Sequence, residues 1–144
     1  MPQWVRAALE DYLRRLGPSL KLSISEIEAG TRAGGDTHRA METEAKRLLA
    51  ALRPEDHVVV LDERGTELTT RELAAWLGER MHEGVDLAIL IGGPDGFAPQ
   101  VLARAAFKWS LSRLTLPHAL ARVVLVEQLY RAQCVLANHP YHRD

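Results

Sequence analysis

Apolar and polar positions alternate along this chain with two different periods. Apolar residues recur every three or four positions in five segments, which predicts helices near residues 2–16, 41–52, 70–83, 99–106 and 119–138. Short apolar runs predict strands over residues 20–24, 57–61 and 85–91, and an extended piece over residues 112–116. Helices that alternate with strands through short connections predict an α/β protein, with a largely parallel sheet flanked by helices.

The strand over residues 85–91 runs directly into a glycine-rich loop, Gly92-Gly93-Pro94-Asp95-Gly96. Ligands of α/β proteins usually bind outside the carboxyl ends of the strands, where glycines allow the backbone to come close. The alternative is a strand-to-helix turn that binds nothing. The spacing matches neither the dinucleotide fingerprint nor the phosphate loop, so nucleotide hydrolysis is weakly supported.

Local turn signals divide the remaining segments. Residues 62–65 (DERG) predict a turn after the second strand, and Thr69 with Glu72 fits a capping box at the start of the third helix. Residues 29–36 have no apolar period, so we expect a mobile loop there.

The last predicted helix is apolar on nearly every face. A helix of this kind must be covered all round, and a small core covers only one side, so we expect a second copy of the chain to cover the other. The single cysteine, Cys134, lies within this pattern and is predicted to be a core residue and not a reactive thiol.

Composition limits the classes of function. The chain has 144 residues, which suits one domain over residues 1–144, and its formal net charge of −1 does not favour coating of nucleic acid by bulk electrostatics. No secretory signal or apolar run of membrane-spanning length is visible, and one cysteine excludes a disulfide framework. We therefore expect a cytoplasmic protein without a membrane segment or a metal.

The C-terminal segment, residues 138–144 (NHPYHRD), combines a phenol, imidazoles and a guanidinium. Aromatic rings stack on unpaired bases and arginine contacts phosphate, so these side chains suit a local contact with RNA. The alternative is a frayed terminus with incidental charge.

Three stretches in this order resemble one known family: residues 90–96 (LIGGPDG), 109–118 (WSLSRLTLPH) and 138–143 (NHPYHR). They are similar to the large-subunit ribosomal RNA methyltransferase H family, which are SPOUT enzymes that methylate N3 of a pseudouridine in large-subunit (23S) ribosomal RNA. Residues 1–5, 12–15 and 60–62 resemble the same family, so the likeness runs the whole length of the chain.

The resemblance implies a single-domain SPOUT fold whose C-terminal part forms a trefoil knot that holds S-adenosylmethionine. By this likeness the cofactor is bound by Leu61, Gly93, Leu111, Ser112, Arg113, Leu114, Thr115 and Leu116. Without the family likeness, residues 111–116 are better interpreted as a core strand and turn.

The resemblance also places the C-terminal segment at the active site of a homodimer. We hypothesise that His142 accepts the N3 proton and that Arg143 stabilises the negative charge on the base. The residues expected to contact RNA are Arg32, Tyr141, His142 and Arg143.

Family members usually begin with a short strand ahead of the segment with which this sequence starts, so that strand is expected to be missing. The near-neutral charge favours a substrate that supplies its own shape, namely the assembled ribosome. Two alternatives remain: a dimeric domain that binds RNA or the ribosome without catalysis, and a SPOUT methyltransferase that acts on transfer RNA.

Overall fold

A computed structural model describes residues 2–18, 20–26, 37–92 and 96–143. Within these ranges five helices and four strands follow one another. Their order is α1 (Gln3–Arg15), β1 (Leu22–Glu26), α2 (Thr37–Ala50), β2 (His57–Glu67), α3 (Thr70–Glu83), β3 (Leu87–Ile91), α4 (Pro99–Arg104), β4 (Phe107–Ser110) and α5 (His118–Leu136). The α/β architecture predicted from the sequence is confirmed.

The chain divides into two compact units. A helical unit comprises residues 1–21, 67–85 and 111–144, and a sheet unit comprises residues 22–66 and 86–110. The assignment of residues 1–144 to one domain stays a prediction, and a single cooperative unfolding transition is the result it requires.

The sheet unit is built around β3, in which every residue is buried. The strand order is β1-β3-β2-β4, and β3 runs parallel to both β1 and β2. An unbroken apolar strand is expected at the centre of a sheet covered on both faces. Helices α2 and α4 contribute to the core of this unit, whose buried members are Ala45, Leu48, Val58, Val60, Ala88, Leu90, Phe97, Ala98 and Val101.

The prediction that the second strand ends before a turn at residues 62–65 is wrong, because β2 continues to Glu67. A turn-like contact is present within it: the Arg64 amide donates to Asp62 Oδ1 over 3.0 Å. Gly65 is needed here because a Cβ would lie 2.6 Å from the Lys108 carbonyl oxygen. The glycine therefore marks close approach to the backbone of β4 and not the end of a strand.

Strand β4 was not predicted, and the extended piece predicted over residues 112–116 is not a strand. Helix α4 ends at Arg104, two residues earlier than predicted, and the Ala106 amide then donates to the Val58 carbonyl oxygen over 2.8 Å. Trp109, which is 4% exposed, fixes β4 in the core. Pairing with β2 outweighs the helical pattern at residues 105–106, because tertiary contacts override weak local propensity.

The helical unit consists of α1, α3 and α5, with α1 and α3 packed against α5. Helix α1 starts one residue later than predicted, since Pro2 is its N-cap, and α5 ends at Leu136, two residues earlier than predicted. Cys134 is buried in α5, as predicted. Among the described residues no helix is long and apolar enough to cross a membrane, and no group of three or more His, Cys, Asp or Glu could hold a metal ion.

The predicted capping box at the start of α3 is confirmed. The Glu72 amide donates to Thr69 Oγ1 over 3.1 Å, and the Thr69 amide donates to Glu72 Oε1 over 2.8 Å. These hydrogen bonds lower the pKa of Glu72 below its usual value, because they favour the ionised carboxylate. Gly84, with φ of 73°, ends the helix in the left-handed conformation.

Substitution of the cap by Thr69→Ala is expected to lower the free energy of unfolding by about 1 kcal/mol, because the Glu72 amide loses its side-chain acceptor. Urea denaturation measures the change. Thr43→Ala makes the same chemical change at an exposed position within α2, where alanine is the better helix former, and is expected to cost nothing. Equal losses in both variants would contradict the assignment of the cap.

Candidate functional site

The residues that the sequence assigned to the site fall in different parts of the structure. Leu61 belongs to the sheet unit, whereas residues 111–116 and 141–143 belong to the helical unit. Gly93 and Arg32 lie outside the described residues.

In the sheet unit, Leu61 is half-buried on β2 and pairs in register with Ile91, the last residue of β3. Gly92 follows at once, and a Cβ there would lie 2.9 Å from the Phe97 ring. A side chain at residue 92 would therefore require the Phe97 ring to shift. Leu61 and Ile91 form an apolar pair next to Gly92.

In the helical unit, residues 111–117 lie outside regular helix and strand. Leu111, Ser112 and Leu116 are half-buried, whereas Leu114 is 73% exposed, so the interpretation of this stretch as a core strand is wrong. The Leu114 amide donates to Ser112 Oγ over 2.9 Å, which forms a local turn. The segment therefore presents apolar side chains together with backbone N–H and C=O groups that are not paired in a sheet.

Arg113 and Thr115 are exposed in the same segment. The Arg113 guanidinium lies 3.7 Å from the Glu67 carboxylate, and both side chains are more than half exposed. A pair so open to water contributes little to stability. Arg113 therefore remains available for a ligand with an anionic group.

The C-terminal segment folds back on α5, so the interpretation of it as a frayed terminus is wrong. Asn138 adopts a φ of 55°, and the His139 amide then donates to the Cys134 carbonyl oxygen over 2.8 Å. The Tyr141 amide donates to His139 Nδ1 over 3.1 Å. These contacts reverse the chain direction and return Tyr141 and His142 to the side of the helix.

A carboxylate on α5, that of Glu127, binds the C-terminal segment. Glu127 Oε1 accepts hydrogen bonds from the Tyr141 hydroxyl over 3.1 Å and from Arg131 Nε over 2.8 Å. Its other oxygen accepts from Gln128 Nε2 over 2.8 Å, and Gln128 Oε1 accepts from the Thr70 hydroxyl over the same distance. Glu127 therefore links the start of α3 to the C-terminal segment.

Tyrosine rings complete the attachment. The Tyr141 ring meets the Tyr130 ring edge-on with centroids 4.7 Å apart, and its hydroxyl lies 3.3 Å from that of Tyr12. The Arg131 guanidinium stacks on the Tyr141 ring at 4.7 Å. Loss of solvent, the hydrogen bond with Tyr12 and the charge of Glu127 together raise the pKa of Tyr141 above its usual value. Tyr141 is therefore a neutral phenol at physiological pH.

His142 is half-buried and also contacts α5. Arg131 Nη1 lies 3.3 Å from His142 Nδ1, while Arg131 Nη2 forms an ion pair with Glu127 Oε1 at 2.7 Å. The hydrogen bond from Arg131 to Glu127 raises the pKa of the guanidinium, which holds its positive charge. The next residue, Arg143, is exposed.

The structure thus adds residues that sequence reasoning missed, namely Tyr12, Glu127, Tyr130 and Arg131. One signal was available for two of them. Glu127 and Arg131 stand four positions apart in a largely apolar helix, and this spacing places both on one face. A charged pair in such a helix indicates a polar partner from elsewhere in the chain.

Comparison with known proteins adds an independent finding. A family model described as predicted SPOUT methyltransferase matches residues 1–142. A protein of Thiobacillus denitrificans named ribosomal RNA large subunit methyltransferase H is 56% identical over 145 residues, covering 100% of this chain and 93% of the relative. Proteins of the same name from Methylococcus capsulatus and Alkalilimnicola ehrlichii are 48% and 50% identical over 144 residues, covering 99% of this chain and 93% and 92% of the relatives.

Proposed function

Because this chain belongs to the SPOUT methyltransferase family, we propose that it methylates N3 of a pseudouridine in the large-subunit ribosomal RNA of the assembled ribosome, with S-adenosylmethionine as methyl donor. The observation that carries the proposal is the full-length similarity to proteins named ribosomal RNA large subunit methyltransferase H, at up to 56% identity. The C-terminal segment supports it, since it holds the half-buried imidazole of His142 beside the exposed guanidinium of Arg143, side-chain types that suit RNA.

The residues expected to bind the cofactor fit it chemically. An adenine ring and a methionine chain need apolar walls and backbone hydrogen bonds. Residues 111–116 offer Leu111, Leu114 and Leu116 on a segment outside regular structure, and Leu61 adds a half-buried apolar side chain on β2. We assign the cofactor to these residues together with Gly93, Ser112, Arg113 and Thr115.

Methylation of a ring nitrogen requires a lone pair at that nitrogen. When bound, S-adenosylmethionine supplies the methyl group, whose bond to sulfur breaks with both electrons left on sulfur. Arg143 stabilises the negative charge that forms on the nucleobase as N3 loses its proton, and His142 is the side chain that the sequence offers as acceptor of that proton. Tyr141 and Arg32 are proposed to contact the surrounding RNA.

We propose that a second copy of the chain completes the enzyme. We also propose that the chain forms the trefoil knot that the family likeness implies, and that the protein is cytoplasmic. In the helical unit, α1 exposes Trp4 and Leu13 at 59% and 47%, and α5 exposes Leu120 and Leu136. Exposed apolar side chains on two helices favour cover by an identical surface. Sedimentation equilibrium is expected to give twice the chain mass, and Trp4→Glu is expected to shift the protein towards monomer. A monomer at micromolar concentration would contradict the proposal.

Two measurements test the function. Calorimetric titration with S-adenosylmethionine is expected to show binding, which a domain without catalysis would not show. Transfer of labelled methyl is then measured to assembled ribosomes, isolated large subunits, naked ribosomal RNA and transfer RNA. We expect more methyl transfer to assembled ribosomes than to any of the other three substrates. Methylation of transfer RNA alone would contradict the proposal and favour a SPOUT methyltransferase that acts on transfer RNA.

A further inference from the structure

The contact between Arg131 and His142 determines which nitrogen of the imidazole carries a proton. An arginine side chain has five N–H donors and no acceptor, and it stays protonated in proteins. With Arg131 Nη1 at 3.3 Å, His142 Nδ1 must therefore be the acceptor. An imidazole protonated at Nδ1, whether neutral or cationic, would set two N–H groups against each other at this distance.

We propose that Arg131, oriented by Glu127, holds His142 as a neutral imidazole protonated at Nε2, so that His142 acts in methyl transfer as a hydrogen-bond donor and not as the base that removes the N3 proton. The catalytic part of this inference rests on the proposed function, whereas the assignment of the tautomer does not. It gives His142 the opposite role to the one expected from the sequence alone.

The orientation of Arg131 leaves little choice of partner. Its Nε and Nη2 atoms both reach Glu127 Oε1, over 2.8 and 2.7 Å, and the face of its guanidinium stacks on the Tyr141 ring. A planar guanidinium fixed along one edge and one face directs Nη1 in a single direction. That direction is occupied by His142, so Arg131 and Glu127 are positioning residues that act through the imidazole.

A donor at Nε2 suits the chemistry of the target. Pseudouridine N3 lies between two carbonyl groups, and loss of its proton spreads negative charge over both oxygens. Solvent water takes the N3 proton, and the new bond forms between N3 and the methyl carbon. His142 Nε2–H and Arg143 stabilise the negative charge on the carbonyl oxygens. A neutral imidazole that polarises a carbonyl is an established device in other enzymes.

The tautomer can be observed directly in the free protein by long-range ¹H–¹⁵N correlation spectra of the uniformly labelled chain. The signals of His142 are identified by their absence in His142→Gln. We expect the neutral pattern with the proton on Nε2 at neutral pH. A proton on Nδ1, or the pattern of a doubly protonated ring, would overturn the proposal.

Two substitutions of His142 separate a donor from a base. Glutamine ends in an amide N–H about as far from Cα as Nε2 but has no basic nitrogen, whereas alanine has neither. We expect His142→Ala to lower kcat about a hundredfold, as for loss of one oxyanion donor, and His142→Gln to stay within about tenfold of the parent enzyme. Equal losses in the two variants would overturn the donor role.

Arg131→Met tests the positioning. We expect it to lower kcat more than it changes KM for the ribosome, and to replace the Nε2 pattern of His142 with an average of the two tautomers. Arg14→Met, a change at an arginine that is 78% exposed in the same unit, is expected to alter neither. An unchanged tautomer and kcat in Arg131→Met would overturn the inference. Methyl transfer to no RNA by the parent chain would overturn the donor role and the proposed function together, while the spectra would still decide the tautomer.

Discussion

Substitution of Leu90 by alanine is expected to lower the free energy of unfolding by about 2–5 kcal/mol, the range for large-to-small changes in a packed core. Leu90 lies in β3 and is fully buried among side chains from α2, α4 and β2. The loss combines the apolar surface returned to water with the cavity left behind. Since domains are stable by only about 5–15 kcal/mol, the variant is expected to populate unfolded chains at 37 °C (~310 K).

Leu114→Ala is the matched control for this prediction. It removes the same atoms from a side chain that is 73% exposed, so the expected change in unfolding free energy is within about 0.5 kcal/mol. Chemical denaturation of both variants gives the comparison. Equal stability of the two variants would show that β3 is not the centre of the core.

Arg143→Ala is expected to lower methyl transfer to ribosomes by about a hundredfold to a thousandfold, the range for loss of a group that stabilises charge in the transition state. Arg143 is exposed at the end of a segment that Tyr141 and His142 anchor to α5, so its side chain has no share in the core. Single-turnover measurements with saturating cofactor isolate this step.

The controls for Arg143 separate catalysis from folding and cofactor binding. Thermal stability and calorimetric affinity for S-adenosylmethionine are expected to match those of the parent chain, and Arg14→Ala is expected to keep full activity. Arg143→Lys keeps the charge but not the planar fork, so an intermediate rate is expected. Unchanged transfer in Arg143→Ala would remove Arg143 from the site.

The elements that the sequence predicts well are those whose signals are local. Strand β3 follows from an unbroken apolar run, and the start of α3 follows from a hydroxyl and a carboxylate three residues apart. Strand β4 does not follow in this way. Its four residues hold their conformation by pairing with β2, a segment some fifty positions earlier, and only a three-dimensional register reveals that pairing.

The candidate site shows the same division. The chemistry of His142 and Arg143 is visible in the sequence as side-chain types, and the family likeness adds the cofactor. The protonation of His142 is not visible there, because it depends on Arg131, which alone looks like an ordinary surface charge of a helix. Only the return of the C-terminal segment to α5 brings these two side chains together.

The central claim is tested most directly in the RNA of a cell that lacks this protein. Mass mapping of large-subunit ribosomal RNA from a deletion strain, and from the same strain carrying the parent gene, compares the methylation of each pseudouridine. We expect one pseudouridine to lack its N3 methyl group in the deletion strain and to regain it with the parent gene, but not with the Arg143→Ala form. Identical methylation of the large-subunit RNA in all strains would contradict the account.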